Sequence, residues 1–569
     1  MMNYRYLLWS MLLLLIACRE DFLDQPPQGV LSEQALATEE GLQALLIGAY
    51  SVLNGYVDER MGPAWGSAAT NWAYGDMPSD DSYKGGAAGE CCGSGLHLET
   101  YQARPFNSWL AAKWRVTFEG ISRANAVLQV LSKAELPQER AMQIAAEARF
   151  LRGHFYFEAK KIWQFLPWYD EHTRDFRLPN RNGTALQWSH IQADFAFAAA
   201  HLPEVQAQPG RPTRYAALAY QAKALLFEGN YPAAGPLLDD IIQSGRYRLL
   251  DNFHENFDAD FNNHSEALFQ IQMSVNDGAP NNINGNYGDI LNFPHNQGPV
   301  GCCGFNQPSQ NLVNAFKTDA QGLPMLEHFN DWDVPNDEGI LSSEPFEPYT
   351  GPLDPRLDWT VGRRGIPFLD WGLHAGRDWI RDQDYAGPYS PKKRVFRKQQ
   401  QGILSASSGW TSAPNALNYS LIRYADVLLW RAEVAVEAGE LALALQLVNQ
   451  VRERARLSEP VRFEDGSPAA QYRIAPYPDF PDQDFARRAV RFERRLELAM
   501  EGHRFFDLVH WGEAAEVLNA YVQREKTKRR YLEDAFFEAG THEYFPIPAF
   551  AIEESKLEGQ PTLVQNPGY

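Results

Sequence analysis

Two stretches of this chain repeat one pattern, and that pattern restricts the fold more than any other feature. In the first, Tyr220, Ala224 and Phe227 share a helical face, Gly229-Asn230-Tyr231 turns the chain, and Ala234, Leu237, Leu238 and Ile241 share a second face. In the second, Leu428, Ala432 and Ala435 precede Gly439, and Leu441, Leu445 and Val448 follow it, over 424–456. Each unit is a helix-turn-helix of about 34 residues, the size of a tetratricopeptide unit, and two of them fit either a repeat scaffold or an ordinary helix bundle. A further helix is predicted over 139–163, where Ile144, Ala148, Leu151 and Phe155 recur at helical spacing, and Pro203 to Pro212 reads as a short linker.

Between the helical units lie Gly-, Asn- and Pro-rich loops at roughly 54–107, 252–310, 319–420 and 457–482. Loops this long are uncommon unless they carry function. The hydrophobic fraction of 44% and charged fraction of 22% allow a large core and exclude a disordered chain. With 52 Lys and Arg against 72 Asp and Glu, the net charge of −20 makes nucleic acid an unfavourable partner, since phosphate binding needs clustered cations. Fifteen Trp and an aromatic content of 13% provide more rings than a core requires, and such rings pack on the apolar faces of sugars.

The N-terminus carries an address. Arg5 precedes an apolar run, Leu7 to Ala17, far short of the ~20 residues that span a bilayer. It has the build of a signal-peptide core and ends in Leu15-Ile16-Ala17-Cys18, a lipobox: cleavage before Cys18 leaves a thiol to be lipidated. Residues 1–17 are therefore expected to be removed and Cys18 to carry the anchor. No later stretch is apolar enough to span.

Residues 492–511 form the densest cluster of chemistry. Phe492, Leu496 and Ala499 share one face of a predicted helix, and Glu493, Glu497 and Glu501 another, among Arg491, Arg494 and Arg495. Gly502 should end the helix, and Phe505, Phe506, Leu508 and Trp511 form an aromatic patch. Three aligned carboxylates invite comparison with a glycosidase, but retaining hydrolysis needs one carboxyl with a raised pKa, and neighbouring arginines hold these ionised. The expectation is a structural salt-bridge network. Neither Gly-x-Ser-x-Gly nor His-Glu-x-x-His is present. Asp258-Ala259-Asp260 opens like a calcium loop but has Asn263 and Phe269 where that loop needs glycine and glutamate. His154, His503 and His510 are expected to be packing residues, so neither metal nor cofactor is expected.

Residues 492–512 closely resemble the signature of the SusD/RagB family, lipid-anchored nutrient-binding proteins of the Bacteroidetes outer membrane. Glu147 to Phe157, Ile422 to Leu429 with Ala432-Glu433, Pro308 to Phe316, Asp354 to Leu357, Tyr544 to Pro548 and Gln565 to Tyr569 are also similar to that family. Arg19-Glu20-Asp21 and Asp24 resemble the acidic tract that sends such lipoproteins to the cell surface. The resemblance runs from Cys18 to Tyr569. It implies one interlocked SusD-like domain (an N-terminal part of about 18–250 and a C-terminal part of about 251–569), all-α, with a tetratricopeptide-like helical-pair scaffold, minor β structure and long irregular loops carrying the ligand face. It further implies a non-catalytic protein that passes oligosaccharide, or peptide in a RagB-like alternative, to a SusC-like TonB-dependent transporter.

Family motifs do not locate the ligand, because the family's site lies on variable loops. Three loops have suitable chemistry: Trp65, Trp72, Tyr74 and Tyr83; then Asn281, Asn282, Asn284, Asn286 and Tyr287; then Trp359, Trp371, Tyr385 and Tyr389. Amides both donate to and accept from hydroxyls. The adjacent pairs Cys91-Cys92 and Cys302-Cys303 are disulfide candidates in an oxidising compartment. Each pair closes on itself, or the two loops are joined in one of two ways.

Overall fold

The computed structural model describes residues 33–90 and 93–569; the expected signal peptide, Cys18, Cys91 and Cys92 lie outside the described residues. Helices dominate. The long ones are α1 (Glu39–Tyr50), α2 (Ser108–Leu131), α3 (Gln138–Ile162), α4 (Trp188–His201), α5 (Arg214–Glu228), α6 (Tyr231–Gln243), α7 (Tyr424–Glu437), α8 (Leu441–Leu457), α9 (Gln483–Leu498), α10 (Arg504–His510) and α11 (Ala514–Glu525). Their starts are set by side chains that accept the otherwise unpaired first-turn amides: Asn107 for α2, Thr213 for α5 and Asp482 for α9. Gly229 ends α5 in the left-handed conformation, where only glycine is free of strain.

From α2 to α6 each helix packs on the next, and α6 then packs on α7 across about 180 residues of sequence. The pairs α5–α6 and α7–α8 are the two predicted units, stacked side by side, so the repeat-scaffold expectation holds. The core beside α5 is aromatic: Phe195 of α4 stacks on Tyr220 of α5 at 5.0 Å, and Phe150 of α3 meets Phe269 edge-on at 4.9 Å. The strands are few. β1 (Ser82–Gly85) pairs antiparallel with β3 (Phe305–Pro308), and β2 (Ala267–Ile271) pairs antiparallel with β4 (Tyr419–Arg423).

The signature stretch differs from its prediction in one respect. α9 ends at Leu498, before Gly502, because Met500 adopts a left-handed backbone. The break lets Gly502 donate to Asp76 at 2.8 Å and sit against Gly75 so closely that a Cβ on Gly75 would fall 1.9 Å from the Gly502 carbonyl oxygen. Glu501 thus leaves the helix yet still joins Glu493 and Glu497 in one buried network. There Arg356, Lys393, Arg423, Arg452 and Arg454 face Asp354, Glu266, Glu493, Glu497 and Glu501, five cations against five carboxylates. Glu497 alone accepts from Arg356 at 2.9 Å, from Arg423 at 2.5 Å and from Arg454. These guanidiniums hold the Glu497 carboxyl far below the usual carboxylate range despite its burial. The other motifs are ion-paired too: Glu147 accepts from Tyr50 and Arg211, and Arg152 forks onto Asp194.

Candidate ligand-binding loops

The pairing of β2 with β4 closes an excursion from residue 272 to 418, in which two loops lie side by side. The loop 274–287 is fastened to 402–408 by asparagines. Asn276 donates to the Ser405 carbonyl at 3.0 Å and accepts from Ser407 at 2.7 Å, and Asn282 donates to the Ser408 carbonyl at 3.2 Å. Asn281 and Asn284 remain on the surface; Asn284 donates to Asp277 at 2.8 Å. Hydrogen bonds from Ser274, Asn284 and the Ala279 amide lower the Asp277 carboxyl to about 2, so this exposed group stays charged.

Two residues beyond Ser408 in the same run is Trp410, with 57% of its surface exposed. Beside them Tyr287 and Tyr56 lie half-buried, with ring centroids 5.1 Å apart. Trp65 is in the next turn: the segments Ala64–Gly66 and Tyr287–Asp289 pack together, and the Trp65 indole N–H has no acceptor among the described residues. Trp371 is half-buried and donates to the Phe396 carbonyl at 2.9 Å, while Asp370 accepts from the Lys398 and Gln399 amides, pinning 369–373 to 396–400.

A second group of loops adjoins the first through Phe293, which packs on Phe396 at 5.9 Å. The β1–β3 pairing brings the start of the first cysteine loop to the second, with Gly86 donating to the Gly304 carbonyl at 2.5 Å. Arg381 links Glu90 at 2.6 Å to His295 at 3.1 Å. The sulfurs of Cys302 and Cys303 lie side by side. The loops are neighbours through strand pairing.

The structure brings Trp65, Asn281, Asn284, Tyr287 and Trp371 towards this surface and removes others. Trp72 is 1% exposed, donates to the Gly288 carbonyl at 3.1 Å and packs edge-on against Trp109. Tyr74 is buried and donates to the Gly66 carbonyl, and Tyr83 is buried on Glu525. These three were expected at the ligand face and are core residues instead: their loop folds inward, because rings in a helix-poor segment still bury where the scaffold leaves room. Asn282 is buried, and its amide fastens the loop. Asn286 is buried on Asp289, and Tyr385 and Tyr389 are buried too. Trp359 stacks on His254 at 4.1 Å and belongs to a separate small cluster with Ile366, Val461 and Ala469. Trp410 escaped the sequence reading; its one signal is an isolated aromatic in a run of Ser, Gly and Thr at 405–412.

A serine–histidine pair exists away from this surface and is set against catalysis. His374 Nδ1 accepts from the Gly376 amide, so Nε2 carries the hydrogen it shares with Ser390 Oγ at 2.9 Å. Burial drops the His374 pKa to about 3. A base for serine would need the opposite tautomer. Asp258, first residue of the calcium-like run, accepts from Arg397 at 2.5 Å and from Gln400 at 2.7 Å.

With this geometry in place, comparison with known proteins is informative. The model of the SusD family matches residues 265–569, and a model described as starch-binding associating with outer membrane matches 21–226. A SusD-like protein of Formosa agariphila is 23% identical over 96% of this chain and 95% of its own length. A SusD-like protein of Bacteroides ovatus is 23% identical over 88% of this chain and 80% of its own. Among solved structures, a laminarin-binding SusD-like protein aligns with a TM-score of 0.66 at 23% identity, covering 94% of this chain and 100% of that one. Surface glycan-binding protein A from Bacteroides thetaiotaomicron, in complex with laminarihexaose, aligns with a TM-score of 0.65 at 20% identity, covering 93% and 99%. At these identities the structural likeness establishes the fold.

Proposed function

The chain belongs to the SusD family, and from that premise we propose that it is a cell-surface lipoprotein that captures oligosaccharide without altering it and hands it to a SusC-like TonB-dependent transporter. The observation that carries this reading is the exposed Trp410 ring in the 405–412 run, whose Ser405, Ser407 and Ser408 are hydrogen-bonded to the asparagine loop that carries the surface amides of Asn281 and Asn284. An aromatic plane beside groups that both donate and accept suits a sugar ring, whose faces are apolar and whose rim is hydroxyl. Two structural relatives are described as binding laminarin or holding laminarihexaose, which makes a glucan the first ligand to try. The lipobox ending at Cys18 supports a lipid anchor there, and the family description matched by residues 21–226 supports association with the outer membrane. In that oxidising setting Cys302 and Cys303 close as a vicinal disulfide.

The test is a glycan array and a peptide library probed with the lipid-free chain, followed by calorimetry. Binding to one glycan class, weakened about tenfold (about 1.4 kcal/mol) by Trp410→Ala, is the expected result. Peptide binding alone would move the chain to the RagB-like alternative. Turnover of a bound glycan would refute the non-catalytic reading.

A further inference from the structure

The asparagine loop is one wall of a cavity of about 320 Å³, near the lower end of the ~300–1,000 Å³ usual for small-ligand sites. Ser274 and Asn284 come from that loop, Ile47 and Tyr50 from the end of α1, and Gln208 and Arg211 from the linker between α4 and α5. Gly210 sets that linker down on the chain after β2: its φ of 83° is left-handed, and a Cβ there would fall 2.4 Å from Gln272 Cγ. Among the described residues that line the cavity, Arg211 alone carries a charge, and that charge is matched within the wall. Its guanidinium donates to Glu147 at 2.6 Å, to Gln43 at 2.8 Å and to Gln208 at 2.7 Å. Gln208 thus commits its amide oxygen to Arg211, and Asn284 commits its amide nitrogen to Asp277 at 2.8 Å. The Gln208 nitrogen remains as a donor and the Asn284 oxygen as an acceptor, neither with a partner among the described residues. Ile47, 61% exposed, adds an aliphatic side chain to the same cavity.

On the oligosaccharide reading above, which this step depends on, we propose that the cavity is a subsite for an uncharged sugar unit of the chain held at the asparagine loop, and that Asp277 at its rim turns away glycans carrying uronate or sulfate. Two of the cavity's own residues hold Asp277. Ser274 Oγ donates to one carboxylate oxygen at 2.6 Å and Asn284 Nδ2 to the same oxygen at 2.8 Å, while the Ala279 amide donates to the other at 3.0 Å. The group is exposed, and no cation pairs with it among the described residues. These donors stabilise its charged form, so the rim keeps a fixed negative charge at neutral pH. A ligand carboxylate or sulfate brought into the cavity comes within about one Debye length of it, ~8 Å at physiological salt, and the wall's Arg211 is already matched by Glu147. A neutral pyranose meets no such repulsion. Its hydroxyls find one amide that donates and one that accepts, and its C–H face finds the aliphatic Ile47.

The experiment is calorimetry on the lipid-free chain from Arg19 to Tyr569 with glucan, mannan and xylan oligosaccharides of two to six units, each with a uronate- or sulfate-bearing counterpart. Neutral members alone should bind, and the six-unit ligand should bind at least tenfold more tightly than the two-unit one. Gln208→Ala with Ile47→Ala, both at exposed positions, should cut that ratio below threefold with the melting temperature unchanged. Asp277→Asn should raise the affinity for the uronate-bearing ligand at least fivefold at low salt, an effect that shrinks as salt is added. Charged members bound as tightly as their neutral counterparts, a length ratio that survives the double substitution, or an Asp277→Asn variant that still rejects uronates would each overturn the subsite. If neutral glycans still bind and Trp410→Ala still weakens them, those outcomes leave the oligosaccharide reading standing. Binding to no member of the panel would overturn that reading and the subsite with it.

Discussion

The buried network around Glu497 offers the sharpest test of the structural reasoning. Glu497→Gln keeps the shape of the side chain and removes one negative charge, leaving Arg356, Arg423 and Arg454 around a neutral amide. Five cations would then face four carboxylates, with all three guanidiniums nearly inaccessible to water. Breaking a buried ion pair from one side costs about 3–5 kcal/mol, because the remaining charge is neither paired nor solvated. At ~2.1 cal/mol/K of unfolding entropy per residue, a chain of 569 residues loses roughly 3–4 °C of melting temperature, readable by scanning calorimetry. Glu40→Gln, on an exposed helix start, is the control and should shift it by well under 1 °C. The compensating double variant Glu497→Gln with Arg454→Met restores the charge balance and should recover part of the loss, so the two changes are not additive. A Glu497→Gln midpoint within 1 °C of the parent, or a double variant as unstable as the sum of its parts, would refute the network as the organiser of this region.

Two further outcomes follow from burial. Trp72→Ala should destabilise by about 3–5 kcal/mol, seen as a lower denaturant midpoint, while the folded protein keeps its ligand affinity; a lost affinity at unchanged stability would return Trp72 to the ligand face. Burial pushes Glu99 up to about 7, against hydrogen bonds from Tyr531 and the Lys84 amide, and pushes Asp76 up to about 8. Groups whose folded pKa is raised contribute stability that is complete below the ordinary carboxylate range and fades as pH rises through the raised value. The melting temperature should therefore fall between pH 5 and 8, and Glu99→Gln should flatten part of that slope; a parent protein equally stable at both pH values would contradict the burial argument.

The scaffold was legible because helices announce themselves locally: α5–α6 and α7–α8 lie where their apolar spacing and glycine turns put them. The salt-bridge network was legible because carboxylates four residues apart, interleaved with arginines, line one helix face and are held ionised. The candidate ligand loops were read less well. Trp72, Tyr74 and Tyr83 have the same composition signature as a binding loop, and only the tertiary path, which tucks Gly75 under Gly502, decides that they face inward. Trp410 was missed for the converse reason: a lone ring in a serine-rich run carries no periodic signal.

The β2–β4 ribbon has a consequence for how such a protein could change. It holds the two ends of a long excursion at one point, while the tips near 274–287 and 402–413 are fastened to each other by a few amide hydrogen bonds. Lengthening a loop whose ends are already clamped is cheap, about 0.6 kcal/mol for each doubling. The clamp thus uncouples the make-up of the tips from foldability. New tips can be tried with the helical stack all but undisturbed.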